Sequence, residues 1–235
     1  MPQALGALRD NLACRGRLGL GLIEGGPAQL ERLLALGAPP PAPPATLDLQ
    51  EPSLEGLALA LADCRRCPLH QGRRQVVFGD GPAGAGLMLI GEAPGAQEDK
   101  EGLPFVGPAG QLLERMLAAV GLKRAEVYIT NLVKCRPPGN RDPQPLEAAA
   151  CRPFLEAQVR AVAPRVICAL GRPASQALLD SDAPISALRG RWHDFQGIPL
   201  LPTFHPAFLL RDPARKSEAY RDLKDLARAL GQTPA

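Results

Sequence analysis

Apolar residues run almost unbroken through four short stretches of this chain, at 87–90, 127–130, 166–170 and 198–204. Runs of that length bounded by glycine, proline or polar residues read as strands buried on both faces. Between the first two, Leu112, Leu113, Met116, Leu117 and Val120 recur at helical spacing, so one apolar face of a helix is expected over 110–120. Further helices are predicted over 146–162, 174–179 and 211–230. Strands that alternate with helices imply a parallel sheet covered on both sides. The expected architecture is an α/β fold of three layers, α/β/α, around a central, mainly parallel, four-stranded sheet.

The N-terminal part reads differently. A helix is plausible around 28–36, and five prolines then crowd residues 38–45. Proline at that density removes hydrogen-bond donors and favours an extended spacer. A boundary is therefore expected there, with 1–50 an extension and 51–235 the main domain. The composition, 46% hydrophobic and 22% charged over 235 residues, is that of an ordinary globular protein. The net charge of +3 permits nucleic-acid binding without arguing for it. No apolar run reaches membrane-spanning length and the N-terminus has no secretory pattern, so a cytoplasmic protein without membrane association is expected. Under reducing conditions spaced cysteines point to metal or catalysis rather than disulfides.

In an open parallel sheet the site lies beyond the carboxyl ends of the strands. The unusual residues of this chain cluster there: Gly91-Glu92-Ala93-Pro94-Gly95 after the first strand, Asn131 after the second, His205-Pro206 after the fourth. The glycine-bracketed turn suits a phosphate or a small ligand held against the main chain. It carries neither the lysine-bearing phosphate loop of nucleotide hydrolases nor the three-glycine fingerprint of dinucleotide binding. Phe105 stands in a Gly/Pro-rich loop just before a helix, a place where an aromatic ring is free to face a ligand. Cys64 and Cys67 form a C-x2-C pair, and Cys135 and Cys151 follow with fifteen residues between them. Four thiolates suit zinc or an iron–sulfur cluster, and spacing alone does not choose. Cys14 and Cys168 fall outside that set, one in the extension and one within a core strand.

Taken together, Gly91 to Gly95 with Glu98-Asp99, Pro104-Phe105-Val106-Gly107, Thr130-Asn131 with Lys134-Cys135-Arg136-Pro137-Pro138, and Thr203-Phe204-His205-Pro206 running to Arg211 resemble the family 4 uracil-DNA glycosylases. The resemblance spans residues 57–230. It implies a [4Fe-4S] cluster on Cys64, Cys67, Cys135 and Cys151, and uracil-containing DNA as the partner. A monomer with no obligate protein partner is expected. Uracil-binding residues would be Gly91, Glu92, Ala93, Phe105, Asn131 and His205. Among these, Phe105 would stack on the base, Asn131 read its edge and His205 donate to O2. Glu92 would act near the sugar, either orienting water or stabilising positive charge, and Glu98 would crowd the position of thymine's methyl. Leu209 would be the wedge that fills the vacated stack, with Lys134, Arg136, Arg141 and Arg211 at phosphates. Relatives that bond covalently to DNA use a histidine in an added loop; residues 136–150 contain none, so ordinary turnover is expected. A cluster-bearing electron carrier and a phosphate-binding module are the competing readings; the first does not account for Phe105, Asn131 and His205 together, and the second lacks both loop signatures.

Overall fold

In a computed structural model of the chain, residues 52–232 are described. The helix expected at 28–36, the proline-rich boundary at 38–45 and Cys14 lie outside them. The first helix, α1 (Leu54–Leu61), buries Leu57 and Leu61. The strand expected at 87–90 is β1 (Leu87–Gly91), and that at 127–130 is β2 (Tyr128–Asn131). The next two are β3 (Val166–Leu170) and β5 (Ile198–Thr203). All residues of β1, β2 and β3 are buried, which is why their sequences run apolar without alternation.

The sheet has five strands in the order β2-β1-β3-β5-β4, not four. The four expected strands are mutually parallel, and the fifth, β4 (His193–Phe195), pairs antiparallel to β5 at the edge. Only Phe195 of its three residues is buried, so β4 has no apolar run to reveal it. Its hairpin turns on Gln196 and Gly197, both with positive φ (54° and 83°). That is the mirror-image turn matching the right-handed twist of paired strands. At the opposite edge, main-chain bonds between Asp80 and Ile129 (2.9 and 2.8 Å) cover β2.

Side chains alternate between the sheet faces. Leu87, Leu89, Ile129, Cys168 and Leu201 meet Leu113 and Leu117 of α3 (Pro108–Ala118) and Leu223 and Leu226 of a C-terminal helix. Met88, Ile90, Tyr128, Ile167 and Leu200 meet Leu155 and Val159 of α4 (Pro145–Val162) and Ala174 and Leu178 of α5 (Arg172–Leu179). The result is three layers. Between β1 and α3 lies the short α2 (Ala96–Glu101), and before β4 the single-turn α6 (Ile185–Leu188). The helix expected over 211–230 is broken. It comprises α7 (Pro206–Arg211), a 3-10 turn at Pro213–Arg215, and α8 (Lys216–Ala229), because Pro213 cannot continue the hydrogen-bond ladder. Among the described residues no helix is long and apolar enough to cross a membrane.

Candidate active site and four-cysteine centre

Beyond the carboxyl ends of β1, β2 and β5 opens a cleft of about 370 Å³. Its lining includes Glu92, Ala93, Phe105, Asn131 and His205, with Arg141, Phe208 and Arg211. Gly91 stands at the end of β1 and makes the cleft possible. A β-carbon there would lie 2.7 Å from Phe105 Cζ and collide with the Asn131 carboxamide. Phe105 itself has φ of 54°, a conformation costly for an aromatic residue and held here from two sides. Arg124 donates to the main-chain oxygens of Pro104 (2.6 Å) and Phe105 (3.0 Å), and is anchored by Asp80 at 3.3 Å. On the other side α3 packs its Gly110 directly on the Phe105 carbonyl, where any β-carbon would overlap it. The ring so placed lies 5.6 Å from the His205 imidazole, centroid to centroid.

His205 caps α7: its Nδ1 accepts the Ala207 main-chain N–H at 3.1 Å. That fixes the tautomer and leaves Nε2–H as a donor. Burial, then the Arg211 charge, lower its pKa to about 4, so the imidazole is neutral near pH 7. Asn131 is 1% exposed, and its Oδ1 has no hydrogen-bond partner. A buried acceptor left open in a cleft calls for a ligand donor. Glu92 is pushed up to about 7, first by burial and then by the neighbouring Asp142, whose carboxylate also pairs with Arg172 at 3.0 Å. Glu98 borders the cleft with its carboxylate already committed. It accepts main-chain N–H groups from Gly95 (3.1 Å), Val106 (3.1 Å) and Gly107 (2.9 Å), tying the turn after β1 to the Phe105 loop. The arrangement presents an aromatic face, an unfilled acceptor, a neutral N–H donor and a carboxyl group of raised pKa to one flat guest.

The residues expected at DNA divide. Leu209 is wholly buried against Leu112, Phe204 and Ala219, so it is core and not a wedge. Leu210, next on α7, is 42% exposed, and Phe208 is half-buried on the cleft wall. Lys134 is 1% exposed and cannot reach a phosphate. Its Nζ donates to Thr130 Oγ1 (2.6 Å) and the Asn131 main-chain oxygen (2.7 Å). Arg136 is half-buried and donates to Asn140 at 2.7 Å. Arg141 is held in two bonds by Glu147 (2.8 and 2.6 Å). Arg211 is exposed at the cleft mouth, with no hydrogen bond or ion pair among the described residues. Sequence reasoning passed over Arg124, Asp142 and Leu210; no local pattern marks Arg124, whose partners lie 19 and 20 residues away.

Cys64, Cys67, Cys135 and Cys151 are all free thiols. Cys67, Cys135 and Cys151 share a cluster with Leu69 and Val133 behind the cleft residue Ala93, and Cys64 packs beside them near Leu61 and Phe154. They lie within electrostatic reach of one another. Arg73 donates to Cys135 Sγ at 3.1 Å, and the main-chain N–H groups of Leu69 and Lys134 point at the sulfurs of Cys67 and Cys151. Among the described residues no three His, Cys, Asp or Glu side chains stand close enough to bind a single metal ion. Cys168 lies apart, in β3.

Residues 78–224 match the model of the uracil DNA glycosylase superfamily. The type-4 uracil-DNA glycosylase of Pyrobaculum aerophilum is 43% identical over 179 residues, covering 72% of this chain and 91% of the relative. That of Thermotoga maritima is 44% identical, covering 77% and 94%. A type-5 uracil-DNA glycosylase of Mycobacterium leprae is 31% identical, covering 74% and 96%.

Proposed function

The chain belongs to the uracil DNA glycosylase superfamily, and from that membership we infer that it hydrolyses the N-glycosidic bond of uracil in DNA, leaving an abasic site in base excision repair. The unpartnered Oδ1 of buried Asn131 is the observation that ties this chemistry to the cleft. Uracil reaches such a pocket only after leaving the base stack. Its N3–H then fills the open acceptor, and the Asn131 amide donates to O4. Cytosine presents the reverse pattern on that edge, a buried mismatch worth about 1–3 kcal/mol. Phe105 covers the base plane, while Gly91 and Ala93 give the main chain close access.

Bond cleavage sends the C1′–N1 electron pair into the departing base, and negative charge grows on O2. The Nε2–H of neutral His205 faces that charge as a fixed donor. Glu92, ionised above about pH 7, stabilises the positive sugar or orients the water that attacks it. Arg211 leads the candidates for a phosphate contact, because its charge is uncommitted. Leu210 replaces Leu209 as the wedge.

Cys64, Cys67, Cys135 and Cys151 fit a [4Fe-4S] cluster: four unpaired thiols from three segments, with N–H donors directed at sulfur. Such a cluster is larger than a single ion and holds its thiolates further apart. When bound it cross-links the C-x2-C loop, the β2 loop and α4, and hydrolysis asks no electron of it. Anaerobically purified protein is expected to be brown with about four irons per chain; stoichiometric zinc without iron would overturn the assignment.

The decisive experiment for the reaction is incubation with a labelled uracil oligonucleotide followed by alkaline cleavage. Asn131→Asp should cut uracil excision by about 10–100-fold, the loss of one to two hydrogen bonds. It should also admit slow cytosine release at lower pH, where a buried carboxyl is protonated. Full uracil activity in that variant would remove Asn131 as the reader.

A further inference from the structure

Among the described residues Lys134 is the one lysine or arginine that is fully buried. Its two acceptors, the Thr130 hydroxyl and the Asn131 main-chain oxygen, are neutral, and no carboxylate pairs with it. An ammonium in such a place is costly unless an anion compensates it. The groups beside it able to carry negative charge are Cys135 and Cys151. Two half-buried arginines belong to the same region. Arg73 donates to Cys135 Sγ (3.1 Å) and to the Cys64 main-chain oxygen (2.7 Å). Arg66, between the paired cysteines, stacks over Phe154 of α4 at 5.2 Å, and its Nε and Nη1 are buried with no acceptor. Lys134 and Arg73 thus stand at the thiols of Cys67, Cys135 and Cys151, and Arg66 lies in the loop that joins Cys64 to Cys67. Thiols alone would leave this charge unanswered, whereas four thiolates on an iron–sulfur core carry net negative charge.

We propose that Lys134 is a positioning residue that joins the four-cysteine centre to the base pocket, its ammonium held by the anionic centre on one side and holding the Thr130 hydroxyl and Asn131 carbonyl on the other. This rests on the cluster and edge-reading assignments above. Asn131 ends β2, paired with Gly91, so a slip of its carbonyl moves the carboxamide that meets uracil. The centre, though it takes no part in the chemistry, then sets the register of the reader.

The test uses full-length, anaerobically purified wild type, Lys134→Met and Thr130→Val. Three quantities are read: iron per chain, the rate at which the visible cluster absorbance bleaches in air, and kcat and KM on a uracil oligonucleotide. Lys134→Met should bleach several-fold faster and raise KM about tenfold, with kcat changed less, as for loss of one buried charged hydrogen bond. Thr130→Val keeps the charge and removes one of its anchors; it should bleach like wild type and share the rise in KM. Lys134→Met with wild-type bleaching, or with wild-type KM, overturns the coupling. So does Thr130→Val with unchanged KM, which decides the matter if Lys134→Met proves insoluble. Wild type without iron would instead sink the cluster assignment, and wild type without uracil release the reaction itself.

Discussion

Leu209 and Leu210 are neighbours on one short helix with opposite fates, and a single residue step along α7 separates core from exposed surface. Leu209→Ala should cost about 2–5 kcal/mol of stability, as deletion of a buried leucine does. Leu210→Ala should stay within about 0.5 kcal/mol of wild type in denaturant melts, yet slow excision from duplex more than from single strands. Equal slowing on both substrates would deny Leu210 the wedge role. Glu92 supplies a pH signature. Its carboxyl is raised to about 7, so an ionised role predicts that kcat/KM falls as pH drops through about 7. That limb should vanish in Glu92→Gln and move to lower pH in Asp142→Asn, which removes the adjacent negative charge. His205 adds no limb there, being neutral down to about pH 4. At this scale the sequence revealed the residues that sit in ordered motifs at strand ends, and the structure places Phe105, Asn131 and His205 around one cleft. It did not reveal burial. A lysine is read as a surface charge unless its neighbours in space are known, and a leucine in a short amphipathic turn gives no sign of which way it faces.

Among the elements, the four buried parallel strands were legible because each is almost wholly apolar, and α3 because its apolar residues recur at helical spacing, whereas the short α2 and α6 went unpredicted. The hairpin that adds β4 was not legible either. Three residues are too few to show a period, and Gln196-Gly197 is a weaker turn signal than Asn-Gly. Since both turn residues have positive φ, Gly197→Ala should destabilise by about 1 kcal/mol, and Gln196→Asn should stabilise by a few tenths. Denaturant midpoints measure both. This turn opens β5 at the end remote from His205, so excision by either variant under native conditions should match wild type.

For the molecule as a whole, every residue assigned to base recognition, to the sugar and to the cysteine centre lies within 52–232. A chain begun at residue 46 is therefore expected to keep uracil excision within about twofold of full length, measured on the same oligonucleotide; a large loss in a well-folded truncation would move the boundary. Strand order, in contrast to strand identity, left no trace in the pattern: nothing along the chain announces that β1 sits between β2 and β3. The position of Phe105 has a thermal consequence. Its loop is held by a positive φ, by Arg124 clasping the Pro104 and Phe105 carbonyls and by Gly110 packed on the latter, while the ring sits in the same core cluster as Leu113 and Leu117 of α3. Heating should thus leave the mouth of the pocket unchanged until α3 itself comes away from the sheet, and excision rate plotted against temperature should climb without a shoulder and fail where the fold melts.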